Sequence, residues 1–149
     1  MILAKRYRVL FVCLGNSCRS QMAEAIARQQ AEDILVVASA GTMALGFVAP
    51  LTVKVLEERG INVGGLSSKP LTRAAQLSAD IVINMTGAPA NGALAASEGK
   101  VEDWPVPDPF GAEMESYRGT CDDIEVRLDE FTARLRARRA AERAAGAES

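Results

Sequence analysis

Tyr7-Arg8-Val9-Leu10-Phe11-Val12-Cys13-Leu14-Gly15-Asn16-Ser17-Cys18-Arg19-Ser20 is the stretch whose reading decides the fold. Tyr7 to Val12 is β-rich and almost continuously apolar, as in a central parallel strand covered on both faces. Gly15 and Asn16 break that run, which is far too short to span a bilayer, and a helix is predicted from about Cys18 to Ala31. A strand feeding a glycine-bearing loop and then a helix N-terminus is the opening unit of an α/β fold.

Working outward, Ile34 to Ala38 reads as a second strand, ending at Ser39-Ala40-Gly41-Thr42. Pro50 suits the first turn of a helix that stops at Gly60. Leu71 to Leu77 is predicted as a short helix, Asp80 to Met85 as a third buried strand and Val101 to Val106 as a fourth. Between the last two, Gly87 to Gly99 is alanine-rich and predicted to be helical in part. Tyr117, Cys121, Ile124, Leu128, Phe131 and Leu135 recur at three- and four-residue steps, the stripe of an amphipathic helix. Alternating strands and helices imply a parallel sheet with right-handed crossovers. One domain spanning residues 1–149 is expected, with the tail after about residue 139 frayed.

Composition narrows the function. A net charge of −2 argues against a dedicated nucleic-acid binder, and the basic cluster Arg134, Arg136, Arg138, Arg139 and Arg143 reads as a solvated helix end. No membrane segment is evident. Three cysteines with no signal peptide point to free thiols in a reducing compartment, the cytoplasm. There is no histidine, which removes histidine triads, histidine metal ligands and histidine general acids together. Acid–base chemistry near neutral pH must then use carboxylates, lysine, tyrosine or a perturbed cysteine.

Spacing by itself does not single out Cys13 and Arg19, because Cys121 and Arg127 are separated by the same six positions. Context does. Cys121 lies on the apolar stripe of a long helix, among Asp122, Asp123 and Glu125, and reads as core. Cys13 ends a strand where the following helix presents unpaired N–H groups and partial positive charge, a setting that favours an anion. The N–H groups of residues 14 to 19 (Leu14, Gly15, Asn16, Ser17, Cys18, Arg19) could curl around a tetrahedral oxyanion, with Gly15 supplying the backbone freedom the curl needs. The same field favours the nucleophilic thiolate of Cys13, and Ser20 is placed to donate to it. Arg19 can grip two oxygens bidentately. Asp108, held between Pro107 and Pro109 after the fourth strand, is the candidate proton donor for a departing group.

The Val12-to-Ser20 motif, Ser39-Ala40-Gly41 and Asp108-Pro109, in this order along nearly the whole chain, resemble the low-molecular-weight protein tyrosine phosphatase superfamily, whose fold the thioredoxin-coupled arsenate reductases share. The resemblance implies a three-layer α/β sandwich with a four-stranded parallel sheet and neither metal nor organic cofactor. It implies catalytic Cys13, Arg19 and Asp108, with Cys13 forming a cysteinyl-phosphate and Asp108 acting first as acid and then as base. Leu14 to Ser20 would bind phosphate, Asn16 and Ser39 would lock the loop, and Cys18 would be able to form a reversible disulfide with Cys13. The expected substrate is a phosphorylated protein or a small oxyanion, with no nucleic-acid or membrane partner.

Ser17 and Gln21 replace an apolar residue and a proline usual in the phosphatases and lean towards the reductases, as do Gly46, Pro50 and Trp104. Against that, Met85, Thr86 and Gly87 stand where a resolving cysteine is expected, and no cysteine lies between Cys18 and Cys121. Phosphomonoester hydrolysis is therefore the principal expectation. Arsenate reduction through Cys13 with an external thiol is the alternative, and a non-catalytic oxyanion or redox module ranks third.

Overall fold

The computed structural model describes residues 5–148; Met1 to Ala4 and Ser149 of the expected 1–149 unit lie outside the described residues. Strand β1 (Tyr7–Cys13) is followed by α1 (Arg19–Gln30), β2 (Leu35–Gly41), α2 (Pro50–Glu58), α3 (Arg73–Ser78), β3 (Ile81–Asn84), a 3₁₀ turn (Ala95–Ser97), β4 (Val101–Asp103) and α4 (Met114–Glu148). The four strands form one sheet in the order β2-β1-β3-β4, and every pairing is parallel. This is the three-layer α/β sandwich the sequence predicts.

The continuous apolar run of β1 is explained by its central place in the sheet. Tyr7, Val9, Phe11 and Cys13 face the larger core with Met22 and Ile26 of α1, Val55 and Leu56 of α2 and the stripe of α4. Leu10 and Val12 face the smaller core with Val82 and Leu94. Alternation within the strand thus distributes its side chains between two hydrophobic layers. Trp104, just past β4, joins the larger core between Phe11 (centroids 5.9 Å apart) and Phe131 (5.7 Å, edge-on).

Some bounds differ from expectation, and the fourth strand stops at Asp103 rather than reaching Val106. Strand β2 runs on through Ser39 to Gly41, because Gly41 pairs in register with Cys13. Of the alanine-rich segment, only Ala95–Ser97 is helical, and as a 3₁₀ turn. Beyond residue 139, α4 continues as helix to Glu148, and Glu142 accepts from the Tyr7 hydroxyl (3.2 Å) and pairs with Lys5 and Arg138. Among the described residues no helix is long and apolar enough to cross a membrane.

Candidate active site

The site is built at the carboxyl end of β1, where parallel sheets of this kind present their ligands. Cys13 is 2% exposed, and its sulfur lies 2.9 Å from the Ser20 hydroxyl on the first turn of α1. Asn16 fixes the direction of that contact. Its side-chain oxygen accepts from the Lys69 backbone N–H (2.8 Å), so its amide nitrogen is the end that donates to Ser20 Oγ (2.7 Å) and to Ser39 Oγ (3.0 Å). Ser20 accepts from Asn16, which leaves its one proton for the sulfur. Ser39 accepts from Asn16 and donates onward to Glu24 Oε1 (2.9 Å), whose other oxygen pairs with Arg28 at 2.9 Å. Asn16, Ser20, Ser39 and Glu24 are all buried.

Asn16 is also the residue that turns the loop. Its φ of 47° lies in the left-handed region, which asparagine tolerates better than most side chains. The backbone freedom expected of Gly15 is therefore supplied by its neighbour, and Gly15 instead makes room for Leu45, whose Cγ would lie 3.0 Å from an added Cβ. Gly41 is needed for a different reason: a Cβ there would lie 2.7 Å from the Leu14 carbonyl oxygen and 2.9 Å from the Asn16 nitrogen.

The loop's carbonyls all point outward. Cys13 O accepts from Thr42 N, Leu14 O from Met43 N, Gly15 O from Leu45 N and Ser68 Oγ, Asn16 O from Gln21 Nε2, Ser17 O from Ala49 N and Thr52 Oγ1, and Cys18 O from Met22 N. In a trans peptide the N–H points opposite to the C=O, and the structure contains no cis peptide among the described residues. The N–H groups of residues 14 to 19 accordingly converge on the concave side, and none of them has an acceptor among the described residues. No side chain caps α1 either. The arrangement is a ring of donors at a helix N-terminus, shaped for an anion with several oxygens.

Arg19, 6% exposed, is planted by its Nη1, which donates to the carbonyls of Met85 at the end of β3 and of Val106 after β4. The position where a resolving cysteine was looked for thus serves to orient the guanidinium. Nη2 lies 3.4 Å from Asp108 Oδ2, whose side chain is 44% exposed at the mouth. Asp108 Oδ1 accepts from the Phe110 N–H (3.0 Å), which sets the turn of its loop. Cys13, Leu14, Gly15, Ser17, Cys18, Arg19 and Asp108 line a single cleft of about 200 Å³, with Met43, Leu45 and Phe110 at its rim. The sequence-predicted residues are therefore brought together, with Asn16, Ser20 and Ser39 behind the cleft wall rather than on it.

Phe47, about half exposed, stacks obliquely on Phe110 at 6.4 Å between centroids and so belongs to the rim, whereas Tyr117 is buried and faces Cys18 (3.6 Å from hydroxyl to sulfur). Burial pushes the Tyr117 phenol and the Cys18 thiol upward. Burial also pushes the Cys121 thiol up to about 11, with acidic neighbours adding to it against the pull of Arg59. Sequence reading missed the outer clamp of Gln21, Thr52 and Ser67-Ser68-Lys69. Gln21, directly after the motif, was its one sequence signal.

A four-stranded parallel sheet with an anion-shaped loop joining a buried cysteine to an arginine, facing an aspartate on a proline-flanked turn, defines an oxyanion site with a thiol in its lining. The family model described as low molecular weight phosphotyrosine protein phosphatase matches residues 8–141, and the chain belongs to that family. It is 32% identical over 129 residues to a glutaredoxin arsenate reductase of Synechocystis sp., covering 86% of this chain and 98% of the relative. It is 31% identical over 140 residues to a probable low molecular weight protein-tyrosine-phosphatase, EpsP, of Ralstonia nicotianae (87% and 96% covered). Among solved structures, the YwlE arginine phosphatase of Geobacillus stearothermophilus superposes with a TM-score of 0.83 at 29% identity, covering 91% of this chain and 96% of that one.

Proposed function

We propose that the protein hydrolyses phosphomonoesters on phosphorylated proteins through a cysteinyl-phosphate at Cys13. The observation that carries this reading is the shared cleft, in which the Cys13 sulfur, the loop N–H groups and Arg19 face an Asp108 carboxyl whose oxygen lies 3.4 Å from the guanidinium. In the first step the sulfur attacks phosphorus, the bond to the leaving oxygen breaks, and the Asp108 carboxylic acid gives that oxygen a proton. Water then attacks phosphorus, the P–S bond breaks, and the Asp108 carboxylate takes the proton from the water. Arg19 and the N–H groups of residues 14 to 19 bear the charge of the equatorial oxygens throughout. Three free cysteines accord with a reducing, cytoplasmic setting.

Arsenate reduction with an external thiol is the second reading, favoured by the likeness to relatives named arsenate reductases. The third cysteine, Cys121, is buried in α4 and does not line the cleft, so a relay within the chain has only Cys13 and Cys18 to draw on among the described residues. Parallel assays with an aryl phosphate, phosphoarginine and arsenate discriminate the readings. The hydrolase reading expects phosphate release that Cys13→Ser abolishes and Asp108→Asn lowers by about 10²–10⁴. Unchanged hydrolysis in Cys13→Ser rejects it; arsenate-dependent thiol consumption without phosphate release selects the second.

A further inference from the structure

We infer that Gln21 is a positioning residue for the oxyanion loop, acting with the segment Ser67-Ser68-Lys69 as an external brace that turns the Ser17 N–H into the anion site. Gln21 is fully buried on α1, one residue beyond the hydroxyl that meets Cys13, and it lies outside the cleft. Its side-chain nitrogen donates to two carbonyls, Asn16 O at 2.9 Å and Ser67 O at 2.7 Å, using both of its protons. Its own side-chain oxygen is buried with no partner among the described residues. An amide chosen for stability alone would satisfy both ends. Here one end is left orphaned while the other grips the loop.

The grip matters because of what shares the peptide plane. The Asn16 carbonyl and the Ser17 N–H point in opposite directions across one trans peptide, so whatever holds the oxygen outward holds the hydrogen inward. Five other carbonyls of the loop, from Cys13 to Cys18, are held by backbone donors, two of them with a side-chain donor as well. Asn16 O alone depends on a side chain, and that side chain is Gln21. The strain is also greatest there, since Asn16 is the residue with positive φ.

The brace makes the grip rigid. Three successive residues of the 67–69 segment engage the loop from outside: Ser67 O anchors Gln21, Ser68 Oγ donates to Gly15 O at 3.1 Å, and Lys69 N donates to Asn16 Oδ1 at 2.8 Å. Ser68 Oγ also accepts from Gly46 N at 3.0 Å, tying the brace to the Leu45 rim. Donors already aimed at the place where charge develops need no reorganisation during the reaction.

This inference rests on the loop's binding of an oxyanion, and inorganic phosphate tests the two separately. Wild type is expected to bind phosphate, and Gln21→Met to bind it about tenfold more weakly, with an aryl-phosphate kcat lower by about 10–100-fold. Ser68→Ala and Thr52→Val each leave a backbone donor on the affected carbonyl, so each should lower kcat by less than about threefold. A merely structural glutamine would move the melting temperature without this ordering. Amide NMR of the wild type gives an arm independent of the variant's folding: the Ser17 amide shifts downfield on phosphate addition, and the Gln21 side-chain amide protons are protected from solvent exchange. Phosphate binding by Gln21→Met within twofold of wild type, or a Ser17 amide that does not move, overturns the inference. Failure of the wild type to bind phosphate overturns the site reading itself.

Discussion

At the scale of single residues, Asn16 shows how far one side chain can serve shape and chemistry together. Its amide directs the Ser20 proton to Cys13, receives the Lys69 N–H and contacts Ser39, while its backbone makes the left-handed turn. Asn16→Ala leaves the half-buried Lys69 N–H contact unmade and places a less tolerant residue at positive φ. It is expected to lower stability by roughly 2–4 kcal/mol, measured by urea unfolding, and to lose most of the activity. Asn16→Gly relieves only the backbone part and should recover some stability but little activity. The cysteines should separate in the same way. Cys121 is fully buried with its thiol raised to about 11, so at pH 8 an alkylating reagent should leave it unmodified in the folded protein and label it only on unfolding. Mass mapping of the labelled peptides checks this, and prompt labelling of Cys121 would contradict the packing of α4.

At the scale of elements, α4 is held to the sheet by its apolar stripe and, beyond it, by ions. Asp33, just before β2, accepts from Arg136 (2.9 and 3.2 Å), and Arg139 lies 3.9 Å from the same carboxylate. The Arg136 hydrogen bond holds the Asp33 carboxyl below the usual carboxylate range, against a smaller desolvation effect. A carboxyl lowered in the folded state contributes stability above its unfolded value and loses it as pH falls through the folded one. The melting-temperature difference between wild type and Asp33→Asn should therefore be present at neutral pH, shrink below about pH 4 and fall with added salt. Because the pair is exposed, the difference should be small, under about 1 kcal/mol. With the Glu142 contacts to Tyr7 and Lys5, these ties hold α4 to the sheet beyond its apolar stripe. Local sequence predicts fraying after about residue 139, since an ion pair to a residue a hundred positions away leaves no local trace.

For the whole molecule, the parallel sheet and the residues that meet in the cleft were readable because each has a strong local signal: an unbroken apolar strand, a cysteine at its end, an arginine at a helix start, an aspartate between prolines. The far stripe of α4 was readable for the same reason, and Tyr117, Cys121, Ile124, Leu128, Phe131 and Leu135 are all buried. What stayed hidden is the non-local part. Ser67-Ser68-Lys69 carries no periodicity, and its role comes from meeting Gly15 and Asn16 across the fold. Gly41 looked like the end of a motif, yet its reason is steric, the 2.7 Å approach of the Leu14 carbonyl to an added Cβ. Gly41→Ala should accordingly depress activity by at least about tenfold while β2 remains paired, a loss that kinetics beside circular dichroism would register.

Rapid mixing with an aryl phosphate, quenching in acid and mass mapping of the peptides tests the central claim most directly. The account predicts one phosphoryl group on the peptide carrying Cys13, formed within the first turnover and lost in Cys13→Ala. Phosphate release at an undiminished rate with no adduct on that peptide, or with the phosphoryl group on another residue, would contradict it.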